Sequence, residues 1–239
     1  MTRRPTSAEF DKDGRSLGEQ LLALSRQARE QRSKNARVRT GADNLALKLY
    51  QTNRLAHTHA DLRADPRYRP AVDFFLTEVY SPKDFSVRDS ELARVVPLMV
   101  KMLPNRALST LVNAVRMDAL TESLDADMVR ALRRDGKIKN IDSAAYASAY
   151  RSCGRKADRE MQIALLSEIG NALDKLRHVP ILKTMLKLMR LPAHYAGFES
   201  LQSFLEQGYD AFYQMNGVDE FLHTITSREL EFSQVSYSR

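Results

Sequence analysis

The sequence predicts an all-α protein, an irregular multi-helix bundle of about eight or nine helices with a basic N-terminal helix. Three observations carry that reading. The 239 residues include nine glycines, eight prolines and no tryptophan, and they lack the β-branched runs expected of strands. Apolar residues recur three and four apart through most segments, the period of a helix with one buried face. Turn signals, among them Gly41, Pro82, Pro104, Gly136, Gly154 and Asn216-Gly217, punctuate these segments at short intervals. A chain of this length buries a substantial core. We divide it into a basic N-terminal arm or helix, 1–42, and a single helical domain, 43–239.

The first helix opens with Leu17, Leu21, Leu24 and Ala28, a 4-3-4 seam whose continuation is Gln31 and Asn35. Its second half is therefore polar on all sides, and Arg26, Arg29, Arg32, Lys34, Arg37 and Arg39 face only Glu30 there. Residues 1–70 carry 15 Lys/Arg against 8 Asp/Glu, and residues 71–239 carry 22 of each, so the net charge of +7 lies at the N-terminal end. Such a segment suits an acidic protein surface. Nucleic acid is the alternative, since clustered arginines release counterions from any polyanion. Against it, the charges are spread around the helix and no aromatic stands among them to stack on bases. These six residues form the candidate partner-binding set.

Gly41 ends this helix and Asp43 or Asn44 caps the next, which carries Leu45, Ala46, Leu49 and Tyr50. His57 and His59 are two apart, so on a helix their rings point in different directions and make no metal pair. Tyr68, Ala71, Val72, Phe75, Leu76, Val79 and Tyr80 then form an unbroken helical stripe. Phe74 lies roughly 150° from its centre, which makes it either a second buried face or a partner contact. Ser81-Pro82 stops the helix, and Ser86 with Asp89 gives the next one a capping-box-like start. Arg88 beside Asp89 reads as an ion-pair and capping arrangement rather than a catalytic pair, with Arg228 and Glu229 as candidates for the same network. Pro97 lies inside the run Leu92, Val95, Val96, Met99, Val100 and Leu103, which predicts a kink or two short helices.

Pro104-Asn105 opens a long helix through Leu108, Leu111, Val112, Val115, Leu124, Met128 and Leu132, with an adjustment expected near Thr121 to Ser123. Asp142 or Ser143 caps a short helix carrying Tyr146 and Tyr150. The single cysteine, Cys153, excludes an internal disulfide and fits a reducing compartment. With no base to pair with it, it is read as structural. Leu165, Leu166, Ile169, Leu173 and Leu176 make the next stripe, and Pro180 starts a Met-rich helix with Leu182, Met185, Leu186 and Met189. Phe198, Leu201, Leu205, Tyr209 and Phe212, the Asn216-Gly217 turn, and Phe221, Leu222 and Ile225 complete the pattern.

His194 and His223 lie among aromatics and are the candidate ligand-pocket residues, haem ligation being one form of that reading. Glu220 and His223 form an E-x-x-H, but a di-metal bundle needs a second such pair, and no other histidine has glutamate three positions before it. No catalytic residue, metal site or cofactor is assigned.

The run FFLTEVYSPKDFSVRD (Phe74 to Asp89), with LPAHYAGFESLQSFLEQGYDAFYQM and FLHTITSRE, resembles a family of bacterial all-helical hypothetical proteins with an FFLxxxYxPxDFxxRD signature. The likeness runs from about Asn44 onward. It implies a cytosolic bacterial protein and carries over no catalytic residue. The expected function is a non-catalytic interaction or regulatory protein of the cytoplasm, with a protein partner or a second copy of itself. No window approaches 18 consecutive apolar residues, so no membrane span is expected. A helical pocket for a small ligand or haem is the alternative reading, and a metal-dependent enzyme the third.

Overall fold

The computed structural model of the chain describes residues 16–35, 41–81 and 86–238, without the side chains of Ser86, Asp89 and Pro180. Every regular element among them is helical. The first are α1 (Leu17–Asn35), α2 (Gly41–Thr58), α3 (Ala60–Ala64) and α4 (Arg69–Phe74), the last running into a π-helical turn, Phe75–Val79. Then follow α5 (Ser86–Met102), α6 (Asn105–Arg134), α7 (Ser143–Ser152) and α8 (Lys156–Arg177). The chain closes with α9 (Pro180–Leu188), α10 (Arg190–Ala196), α11 (Glu199–Met215) and α12 (Asp219–Ser238). This exceeds the eight or nine helices expected. The surplus comes from α3, α4, α9 and α10, of five to nine residues each, too short for periodicity to separate one helix from two.

The ends of the helices follow local chemistry. Ser16 and Glu19 form a reciprocal capping box at the start of α1, Ser16 N–H donating to Glu19 Oε2 at 2.7 Å and Glu19 N–H to Ser16 Oγ at 3.3 Å. Asp142 Oδ1 accepts Ala145 N–H at 2.7 Å and so caps α7. Asn216 (φ 52°) and Gly217 (φ 114°) turn the chain out of α11 through left-handed backbone, which glycine and asparagine tolerate best. Two expectations are corrected, the first in part. The two-helix form at Pro97 does not occur: α5 is one helix through Pro97, an exposed residue. α6 passes Thr121 to Ser123 without a break, and Thr121 donates its hydroxyl to Met117 O at 2.8 Å.

The 30 residues of α6 span about 45 Å at 1.5 Å per residue, and α1, α2, α5, α7 and α8 pack against it. One core cluster joins α4, α8, α11 and α12 around Phe212, Met215, Phe221 and Leu222. A second joins α1, α5 and α6 through Leu21, Val96, Leu108 and Val112. A third joins α2, α6 and α7 through Leu47, Met128, Leu132 and Tyr146. With Leu21 and Ala28 buried, the described part of residues 1–42 is packed into the bundle. Arg32 fastens it: its Nη2 meets both Asp118 oxygens at 2.8 Å and its Nε reaches Glu122 Oε1 at 3.2 Å. Glu122 also takes Lys48 Nζ at 2.8 Å and Asn35 Nδ2 at 2.9 Å. Burial alone would raise its pKa, but the Lys48 and Arg32 charges and these hydrogen bonds hold it below the ordinary carboxylate value.

Candidate ligand site

Two partly open cavities lie against the π-helical turn. At that turn the hydrogen bonding widens, and Tyr80 N–H reaches Phe75 O five residues back at 2.8 Å. Such turns recur at functional positions in helices. Phe75 and Tyr80, at its two ends, line both cavities, as does Thr121 of α6 facing them.

The larger cavity measures about 220 Å³. Leu111, Ala114 and Val115 of α6 form one wall, Leu173 and Leu176 of α8 another, and Phe204, Leu205 and Tyr209 of α11 a third, while Leu182 and Leu186 of α9 cover it. Polar groups are few and include Glu78, Arg88 and Asp118. Arg88 Nη1 donates to Glu78 O at 3.0 Å, and its guanidinium lies 4.3 Å from the Phe204 ring centre, a cation–π arrangement. Burial, opposed by the attraction of Asp118 and aided by repulsion from Arg32, pushes the Arg88 pKa below its ordinary value. Phe74 is only 9% exposed and also lines this cavity. It packs on Phe204 with ring centres 5.3 Å apart and on Gly208, where a Cβ would come within 3.0 Å of Phe74 Cζ. Phe74 therefore offers no surface to a partner.

The smaller cavity, about 100 Å³, is lined by α2, α6, α7, α8, α12 and the π-helical turn. Its lining is rich in polar side chains. Arg54 grips Glu229 with two hydrogen bonds, Nη1 to Oε1 at 3.1 Å and Nη2 to Oε2 at 2.6 Å. His59 Nε2 lies 3.4 Å from Glu229 Oε1, without the geometry of a hydrogen bond. Burial would raise the Glu229 pKa, but His59 and Arg54 outweigh it and hold the carboxyl at about 2. Gln51 Nε2 donates to Asp125 Oδ1 at 2.9 Å. Burial and then the neighbouring Glu122 charge push Asp125 up, against Lys48, Gln51 and Arg159. Burial likewise raises the Tyr80 phenol well above the usual range.

The sequence-predicted residues fall into separate places. Arg26, Arg29 and Lys34 are exposed on α1, Arg32 is bound to Asp118 and Glu122, and Arg37 and Arg39 lie outside the described residues. The side chains of Ser86 and Asp89 lie outside them as well. Arg88 and Glu229 face different cavities, and Arg228 holds Asp61 through two bonds of 2.7 Å and Thr58 O through one of 2.9 Å. The four residues Arg88, Asp89, Arg228 and Glu229 are thus not shown as one network. His194 and His223 are exposed and line neither cavity. His194 pairs with Glu199, and Glu220 accepts the Tyr68 hydroxyl. Among the described residues no group of three or more His, Cys, Asp or Glu side chains is placed to hold a metal ion. No helix there is long and apolar enough to cross a membrane.

Arg54, Asp125 and Arg159 carry the polar cavity and have no place in the sequence motifs. Glu122 and Asp125 do leave a trace: both sit among the buried positions of α6, between Met117 and Met128, where an unpaired charge is costly.

These features define an all-α protein with two partly open cavities that share the π-helical turn as a wall. The chain belongs to the family described as Domain of unknown function (DUF8198), which matches residues 28–238, from the middle of α1 through α12. No curated protein and no solved structure matches it.

Proposed function

We propose that the protein binds a small, mainly apolar molecule in the larger cavity, with the polar end of the ligand toward Glu78 and Arg88. The observation that supports this is the 220 Å³ of apolar-lined, partly open space beside α6. Cores are ordinarily close-packed with few voids larger than water, and a dry cavity of about 150 Å³ suffices for benzene. Native mass spectrometry of the purified protein, followed by thermal melts with alcohols of increasing chain length, tests the reading. Melting temperature is expected to rise with chain length to an optimum and then fall; a response independent of chain length would refute it.

A second reading, self-association, draws on the exposed apolar side chains of α9 and α10. Ile181 is 61% exposed, Leu188 70%, Leu191 69% and Tyr195 85%, and such exposure marks contact surfaces. Sedimentation of the wild type beside Leu188→Ser/Leu191→Ser decides it, with a dimer lost in the variant as the expected result. Arg26 and Arg29 are left for an acidic or nucleic-acid partner, whose binding would fall steeply with salt.

A further inference from the structure

We propose that the smaller cavity is a second binding site, for a small organic carboxylate held by Arg159. This goes beyond the apolar site and stands on different residues. Arg159 is 5% exposed and lines the cavity. Its guanidinium lies 4.5 Å from the Tyr150 ring centre, and Nη1 makes a long 3.5 Å contact with Gln162 Oε1. Nε and Nη2 are buried without any hydrogen-bond partner. These two nitrogens form one edge of the guanidinium, the fork that accepts a carboxylate through two parallel bonds.

Charge and shape narrow the ligand. Arg54 already has Glu229 as its counter-ion at 2.6 Å, whereas among the described residues no carboxylate lies within ion-pair distance of Arg159. Asp125, in the same lining, feels its charge but is bonded to Gln51 and pushed toward the neutral acid by burial, and a buried charge without a close partner is strongly unfavourable. One cation without an ion pair among the described residues suits a monoanion and leaves a phosphate dianion half compensated. His59 offers a further buried ring whose nitrogens lack hydrogen-bond partners. The apolar faces of Phe75, Tyr146 and Phe221 suit a short organic body over a solvated inorganic ion, and a cavity of about 100 Å³, against about 150 Å³ for benzene, holds one of about four heavy atoms, the size of acetate.

The test is a set of thermal melts of the full chain with acetate, benzoate or inorganic phosphate, for the wild type, Arg159→Met, Arg159→Gln and the exposed control Arg63→Gln. Acetate is expected to raise the wild-type and control melting temperatures saturably, by roughly 5–10 °C at a hundredfold excess over Kd. Benzoate, larger than the space, and phosphate should act more weakly. Both Arg159 variants should lose at least tenfold in acetate affinity while staying folded by circular dichroism. If Arg159→Met fails to fold, Arg159→Gln gives the same reading. Should neither fold, the wild type alone decides: a saturable acetate response that exceeds the benzoate response supports the site, and equal responses overturn it. Equal acetate responses in wild type and variants, or no saturable wild-type response, would overturn the proposal. A phosphate response as strong as that of acetate would overturn the carboxylate assignment.

Discussion

The two cavities share one wall and differ in nearly everything else. Phe75, Tyr80 and Thr121 face both, yet on one side the surroundings are aliphatic and aromatic, and on the other Arg54, Asp125, Arg159 and Glu229 converge. The apolar cavity arises where α6, α8 and α11 do not fully interdigitate. Ala107, Ala114 and Gly208 supply little volume on its walls. The polar cavity exists because charged groups from distant helices must meet one another once removed from water. One space is thus set by missing volume and the other by required partners, and they should fail in different ways when altered.

The largest expected effect falls on the polar side. Glu229→Gln leaves Arg54 buried without its counter-ion and should cost about 3–5 kcal/mol in urea unfolding. The same substitution isolates a pH effect. The folded carboxyl sits at about 2, below its ordinary unfolded value near 4.5. Its contribution is therefore complete above the unfolded pKa and lost as pH falls toward about 2. The wild type should lose more stability than Glu229→Gln across that window; parallel curves would show that the pair does not hold the polar side together.

Gly170→Ala probes the α8–α12 contact beside both polar and apolar walls. A Cβ there would lie 2.5 Å from Leu222 Cδ2, so a loss of about 1–3 kcal/mol is expected from overpacking. On the apolar side the sign reverses. Ala114→Leu adds volume where space exists and should stabilise the ligand-free protein by about 0.5–2 kcal/mol, while abolishing the dependence on alcohol chain length. Destabilisation instead would mean the wall is already close-packed. The smallest effect is expected at the surface, where replacing Arg26 and Arg29 with Ala should shift stability by less than about 0.5 kcal/mol.

The sequence made the helices legible because their cues are local: the Asp142 cap, Pro180 at the start of α9 and the Asn216-Gly217 turn all act within a few residues. The apolar stripe from Tyr68 to Tyr80 was equally plain, but its π-helical widening was not, since the apolar period carries no mark of the extra residue in the turn; there Phe75 packs on Phe212 of α11 and Phe221 of α12. The cavities were hidden for a related reason. Arg54 and Glu229 are 175 residues apart, and Arg32 and Glu122 are 90, so only the folded arrangement pairs them. Residues 74–89 looked like a turn with a capped helix behind it. In the structure Phe74, Phe75, Tyr80 and Arg88 from that stretch line the apolar cavity, so its aromatic residues serve as cavity walls as well as helix packing.

The most direct test of ligand binding in the apolar cavity is a crystal structure with a bromine-labelled alkyl alcohol. The proposal predicts an anomalous bromine peak enclosed by Leu111, Val115, Leu173 and Phe204, with the hydroxyl toward Arg88. Bromine found only on the exposed faces of α9 and α10, with the interior unchanged, would contradict it.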